Sequence, residues 1–362
     1  MNNVSAATLG VVAGFGLAAF GITQSAQAIE PALTTVGAPG NAADFNGRGS
    51  VAYIFQIGRF EVTVAEYAAY LNAVDPNATN VQFFESPVGV QLNQQAPPGT
   101  RWSPRAGWAN KPITGVSWVS AARFVNWLEL GQPFGPGARE AITIGTYDLS
   151  TQSPTTTRRQ GAQWALPNPS EWYKAAYYDP WSTGADADVG DAIGLPASPD
   201  YWLYPTRSDS APVQATCNAS GDVTNPGSNT GNWGESPGCF PTFNGLSSVG
   251  TSGSTSGFVA FDMGGNVWEF IEAPLGLASF AGGSWGTSPA AMRSTGNPPG
   301  SIEAQYLGAS SNFGFRVVLL SAPQPECERG DANADGAIDI LDVTVLRQTL
   351  AGYPSSIVPC AP

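Results

Sequence analysis

Asp331, Asn333, Asp335 and Asp342 occupy positions 1, 3, 5 and 12 of the stretch DANADGAIDILD. Side-chain oxygens at that spacing, with Gly336 at the sharp turn, are what a twelve-residue loop needs to wrap calcium. The Ala337 carbonyl and Asp339, directly or through water, would complete the shell, and Ile338 would point inward. The last ligand is aspartate rather than glutamate, so its carboxylate reaches less far. A second acidic turn lies upstream in FDMGGNVWEF, residues 261–270, where Asp262 and Glu269 bracket a Gly-Gly pair. Carbonyls freed at Gly265 and Val267 could join them around a hard cation, with Trp268 packing or lining a cleft.

The stretch AGGSWGTSPAAMRS, residues 281–294, has the glycines, tryptophan and arginine of a site floor but no obvious nucleophile, base or metal ligand. The whole chain contains no histidine. That removes Ser-His-Asp and Cys-His catalysis, His-ligated iron and the common catalytic zinc sites. Four cysteines remain, at 217, 239, 327 and 360. Three pairings are possible, and the local ones, Cys217–Cys239 and Cys327–Cys360, each enclosing a Gly/Asn/Asp-rich stretch, are the ones we expect. Bridges of that kind belong to an oxidising compartment.

An export signal agrees with this. Residues 8–22, TLGVVAGFGLAAFGI, form an apolar run followed by polar residues and the small-x-small pattern AQA at 26–28. The run is shorter than the roughly 20 residues of a spanning helix, so we read a signal peptide over 1–28 and a secreted, extracellular or periplasmic chain with no membrane span after cleavage. The net charge of −13, with only 15 lysines and arginines, leaves no cationic surface for nucleic acid. Hard cations suit the balance better.

The elements that would position these groups are few. Residues 29–49 are small and polar and read as a flexible lead-in. Residues 52–62, AYIFQIGRFEV, read as one or two strands. Thr63 to Glu66 has capping-box form and opens a helix with Val64, Tyr67, Leu71 and Val74 on one face. A second helix is predicted over 117–130, capped by Ser117, and a third over 166–180, with Asn168 as cap, Pro169 in the first turn and Glu171 reaching back. From 181 to 320 Gly, Ser, Asn and Pro punctuate short apolar pieces without a long helix. NFGFRVVLL, residues 312–320, reads as a closing core strand. Residues 321–328 look like a linker to the terminal segment, 329–362.

Two resemblances follow from these residues. The calcium loop and the helix after it, with Leu341, Val345, Leu346 and Leu350, resemble one repeat of a dockerin domain. Dockerins have two repeats, so calcium binding is implied, while attachment to a cohesin-like partner or self-association stays open. The ordered motifs YIFQIGRFEVTVAEYAAYLNAV, KPITGVSWVSAARFVNWLE, LPNPSEWYKAAYY, FDMGGNVWEF, GGSW and NFGFRVV, over residues 50–320, resemble the formylglycine-generating enzyme or sulfatase-modifying-factor family. The resemblance implies an α+β, C-type-lectin-like variant fold with little regular secondary structure, followed here by the small EF-hand-like, dockerin-like segment.

It also implies calcium at Asp262, Gly265, Val267 and Glu269, and at Asn232 and the Trp233 carbonyl with Asn244 and the Leu246 carbonyl. Trp268, Ser284, Trp285 and Arg293 resemble positions lining the family's peptide groove. Catalytic members bind Cu(I) through two cysteines shortly after the GGS-aromatic motif and oxidise a substrate cysteine, chemistry that needs soft thiolates. No cysteine lies between 239 and 327 here. The family's iron-dependent sulfoxide synthesis needs histidines, which are absent. The expectation is therefore an exported, calcium-stabilised pseudoenzyme that binds a peptide, glycan or protein, without copper or iron. The alternatives are a formylglycine-generating-type oxidoreductase acting on a peptide or sulfatase, and a structural surface or assembly protein.

Overall fold

The computed structural model describes residues 28–80, 85, 87–151, 156–181, 200–234, 238–240, 242–272, 279–295 and 309–320. The expected signal peptide up to residue 27, the expected linker, the expected calcium loop with Asp331, Asn333, Asp335, Ala337, Asp339 and Asp342, and the expected Cys327–Cys360 pair lie outside the described residues.

In chain order the elements are β1 (Leu33–Val36), β2 (Phe55–Gly58), α1 (Val64–Val74), β3 (Val90–Leu92), β4 (Trp102–Pro104), α2 (Trp118–Glu129), α3 (Ala138–Ala141), β5 (Trp164–Ala165), α4 (Pro169–Tyr177), β6 (Val213–Gln214), β7 (Thr230–Gly231), β8 (Trp268–Ile271), β9 (Ser279–Ala281), β10 (Phe313–Phe315) and β11 (Val318–Leu320). Short strands and few helices are what a Gly- and Pro-rich chain allows, because both residues interrupt regular backbone.

The three long helices start where local chemistry says they must. Thr63 caps α1 by accepting from the Glu66 amide, and Glu66 accepts in return from the Thr63 amide. Asn168 and Glu171 repeat the arrangement at α4, with Pro169 in its first turn. Ser117 caps α2. Each reciprocal box satisfies two amides that a helix start otherwise leaves unpaired.

A four-stranded sheet runs in the order β1-β2-β11-β5, with antiparallel pairings throughout. A three-stranded sheet runs β10-β8-β9, with β10 parallel and β9 antiparallel to β8. Two small ribbons, β3-β4 and β6-β7, complete the strands. One core cluster joins α1 and α2 to the second sheet through aromatic contacts among Tyr67, Tyr70, Phe124, Trp127 and Phe315. Another packs α4, through Trp172, Tyr173 and Tyr177, on Phe55, Ile57 and Val318 of the four-stranded sheet.

Two expectations need correcting. The stretch read as a flexible lead-in contributes β1, whose four residues pair with β2, and then Asn41, whose side chain donates to Gly49 O (2.8 Å) and Tyr201 Oη (2.7 Å). Asp44, also buried, accepts from Tyr173 Oη. Small polar residues look solvated in a sequence, but these find partners on α4 and beyond it. The closing segment is two strands rather than one: Phe313–Phe315 pairs parallel with β8, and Val318–Leu320 pairs antiparallel with β2 and β5. The switch between sheets falls at Arg316, which is fully buried. Among the described residues no helix is long and apolar enough to cross a membrane.

Candidate functional site

Arg316 explains what became of the acidic turn. Its Nε and Nη2 donate to the two oxygens of Glu269, each at 2.6 Å, and Nη1 and Nη2 reach Gly58 O (2.8 Å) and Phe261 O (2.9 Å). Trp172 Nε1 donates to the same Glu269 carboxylate at 2.7 Å. Asp262 accepts from the Gly250 amide (2.6 Å) and Ser252 Oγ (2.8 Å). All four carboxylate oxygens of the expected calcium pair thus already accept from protein donors. The residues at Asp262 and Glu269 do not fit a cation cage: a guanidinium supplies the positive charge instead. The carbonyls of Gly265 and Val267 stay in the same turn, whose Gly265 amide is tied to Gly282 O (2.9 Å). Among the described residues no three His, Cys, Asp or Glu side chains converge on one metal position.

The second expected position is built differently. Asn232, 2% exposed, follows β7 and donates through Nδ2 to Gly245 O (2.9 Å), Asn266 Oδ1 (3.1 Å) and Ser247 Oγ (3.4 Å). Those bonds settle which end of the amide is nitrogen, and they leave Oδ1 buried with no donor among the described residues. A buried acceptor without a partner costs about 1–3 kcal/mol. One such oxygen does not by itself make a cation site: the amide turns Nδ2, not Oδ1, to the turn that carries Asn244 and Leu246.

Beside it, the turn Thr242–Gly245 holds Phe243, Asn244 and Gly245 at φ of 47, 57 and 88°. Non-glycine residues there cost of order 1–3 kcal/mol each, and such strain persists only where surrounding contacts enforce it. Lys111 is one enforcer. It is buried, lies 4.5 Å from the Phe243 ring centroid, and donates to Ser220 O (2.7 Å) and Ser248 Oγ (2.6 Å). Asn244 itself is exposed, Leu246 is buried, and the Trp233 carbonyl accepts from Gln214 Nε2 (2.7 Å).

Asn266, in the left-handed region at φ 57°, is the hub of this region. Its Nδ2 donates to Glu61 Oε1 (3.0 Å), and its Oδ1 accepts from the Ser247 amide (3.0 Å) as well as from Asn232. Its backbone N–H goes to Asn232 O (2.7 Å), and its carbonyl accepts the Trp285 amide (2.9 Å). Gly265 beside it is required, since any Cβ would collide with the Asn232 carbonyl. Glu61 Oε2, also buried, has no hydrogen-bond partner among the described residues.

The predicted cleft residues are only partly brought together. Trp285 stacks on the exposed Phe240 at 5.9 Å and 14°. Its ring also lies against Gly245, where a Cβ would stand 2.5 Å from Cδ2 and Cε3. Ser284 is fully buried, and among the described residues neither Ser284 Oγ nor Trp285 Nε1 has a hydrogen-bond partner. Trp268, on β8, packs edge-on against Phe280 (4.9 Å) and stacks with Phe313 (6.5 Å). Arg293 turns to Tyr204, donating to its hydroxyl at 2.8 Å and lying over its ring. Cys217 and Cys239 are disulfide-bonded, as expected.

Sequence reasoning passed over Arg316, Asn266, Glu61 and Phe240. Arg316 carries the clearest signal in hindsight: a lone charge inside an apolar run is buried only when paired.

The buried carboxyls have a consequence for pH. Burial and then the Asp262 charge hold Glu61 well above the usual glutamate value of 4.5. Burial also raises Glu66 and Glu272, against hydrogen bonds from Thr63 in one case and the Arg158 charge in the other. Between 4.5 and the raised values the folded chain keeps protons that the unfolded chain has released, so stability falls as pH rises through that window. Burial lowers Lys111 and Lys174 to about 8, so from there towards 10.5 the two lysines work in the opposite direction. A higher melting temperature is expected at about pH 5 than at about pH 7.5. A melt series that rises steadily over that interval would contradict it.

Residues 50–320 match the sulfatase-modifying factor enzyme 1-like domain. No curated protein matches the chain. Similar solved structures include one described as CarF, 19% identical with a TM-score of 0.43, covering 80% of this chain and 98% of that one. Another is Treponema denticola variable protein 1, 16% identical with a TM-score of 0.42, covering 79% and 94%. PvdO from Pseudomonas aeruginosa is 19% identical with a TM-score of 0.38, covering 79% and 90%.

Proposed function

The chain belongs to the sulfatase-modifying factor enzyme 1-like family, and on that premise we propose that it is an exported, non-catalytic binding module supported by calcium. The observation that carries this reading is the bond between Cys217 and Cys239. Sulfurs joined to each other are not thiolates, and Cu(I) requires thiolate or thioether donors. The 87 positions from 240 to 326 hold no further cysteine, so the region after Ser284 and Trp285 has no soft ligand pair to offer. A disulfide also accords with export.

The same region has binding groups to spare. Trp285 offers a partly exposed aromatic wall, and Ser284 Oγ and Trp285 Nε1 are buried donors without acceptors among the described residues, which a ligand would reach only by displacing what covers them. A peptide backbone or a glycan presents acceptors of that kind along an apolar edge. Phe240, stacked on Trp285 and half-exposed, is the side chain such a ligand would displace. Calcium in this reading sits in the terminal loop from Asp331 to Asp342.

Metal analysis and oxygen uptake test the proposal against an oxidoreductase of the family's catalytic kind. The purified mature chain should hold calcium, take up copper only substoichiometrically and consume no oxygen with a cysteine-containing peptide. One copper per chain together with peptide-dependent oxygen uptake would overturn it.

A further inference from the structure

Gln132 stands where the backbone would prefer a glycine. Helix α2 ends in a left-handed turn, in which the Gly131 amide donates to Leu128 O (3.0 Å) and the Gln132 amide to Trp127 O (2.8 Å), the pairing of a Schellman cap. Gly131 takes φ 75° freely, but Gln132 follows it at φ 60°, a region that side chains rarely adopt. Strain of this kind persists where surrounding contacts enforce it. Here the contacts belong to the side chain. Gln132 Oε1 accepts from the Ile29 amide and Gln132 Nε2 donates to the Ile29 carbonyl, both at 2.8 Å. The two bonds copy a hydrogen-bonded pair of an antiparallel ladder, with a side-chain amide in place of a strand. They grip the backbone of one residue 103 positions away. Ile29 also packs on the core cluster that contains α1 and α2, whereas Ala28 before it is exposed. Beyond Ile29 the chain stays fixed: Ala32 O accepts the Arg59 amide (2.7 Å), and β1 pairs with β2 from Leu33 onward. The step from solvent to fold thus falls between Ala28 and Ile29, the bond at which the AQA pattern places signal cleavage.

We propose that Gln132 is the binding site for the N-terminus that signal removal creates, with Ile29 as its ligand. The inference rests on the export reading above and goes beyond it by naming what holds the new chain end. A signal-cleaving peptidase adds water across the Ala28–Ile29 bond: Ala28 leaves as a carboxylate, and Ile29 keeps its nitrogen as an ammonium. That nitrogen still aims an N–H at Gln132 Oε1, now as a charge-assisted donor, which is the stronger kind. The mature chain therefore begins at a docked residue, and a trimming enzyme meets no loose end.

The test expresses parent and Q132G as the full precursor, recovers both after export, and follows their masses during exposure to an aminopeptidase. Both should begin at Ile29. Glycine suits φ 60° and deletes only the clamp, so Q132G should still melt cooperatively. It should nevertheless lose Ile29 roughly tenfold faster or more, since two hydrogen bonds no longer oppose local opening. Trimming stops after Ile29 and Glu30 is retained, because the next bond is to Pro31. Q132E supplies a readout that a purely structural role would not move: a carboxylate facing the ammonium should shift acetylation of the α-amine to higher pH. Equal trimming in parent and Q132G, or an α-amine that titrates alike in parent and Q132E, refutes the clamp and leaves the export reading standing. A first residue other than Ile29 overturns the proposal through the cut position instead.

Discussion

Replacing Arg316 by methionine is expected to destabilise the fold by about 3–5 kcal/mol, because it strands Glu269 as an uncompensated buried charge. Both side chains are fully inaccessible to solvent, so water does not screen the loss. The arginine also donates to Gly58 O at the end of β2 and to Phe261 O before the acidic turn. The same substitution therefore orphans two carbonyls and unpins the point where the chain crosses from β10 to β11. For a domain of this size the expected fall in melting temperature is on the order of 10 °C. The double variant E269L/R316M separates charge from packing. Replacing a buried pair with apolar residues of similar volume is often close to neutral, so the double should recover much of what R316M loses, short of the Trp172 Nε1 donor left unpaired. R316M melting like the parent would show that something other than Arg316 neutralises Glu269.

How far these features could be read from the sequence depends on the distance over which each is decided. The capping boxes at Thr63–Glu66 and Asn168–Glu171 are settled within four residues, and both helices begin where the pattern places them. The Cys217–Cys239 pair is local as well, and the expected pairing is the observed one. By contrast, Asp262 and Glu269 look like metal ligands only until Arg316 is seen to face Glu269 from 47 positions away. No periodicity within 312–320 marks where one strand leaves its sheet for another, since both halves are apolar. Asn232 illustrates the opposite case. Its chemistry is legible as an oxygen donor, but that Oδ1 has no protein donor follows only from three bonds that occupy the other end of its amide. Family resemblance supplied the frame at 50–320, which the domain match reproduces. The partners inside that frame came from long-range packing.

Breaking the Cys217–Cys239 bond by C217S/C239S is expected to lower stability by about 3 kcal/mol, from the chain entropy released in a loop of this length. The bond joins positions 22 apart and closes the segment that carries β7 and Asn232. Thermal melts of the variant against the parent, without reductant, measure the effect, and dithiothreitol should bring the parent to the same midpoint. The consequence reaches the cleft because Phe240 follows Cys239 directly and stacks on Trp285. Once Cys239 is free, Phe240 loses its covalent tether, and the indole should become more accessible to a neutral quencher. A chain that melts unchanged after reduction would mean the bridge does not constrain the unfolded state. Two reactive thiols at 217 and 239 in the purified, unreduced protein would go further: they would restore the soft ligands whose absence separates a binding module from an oxidase.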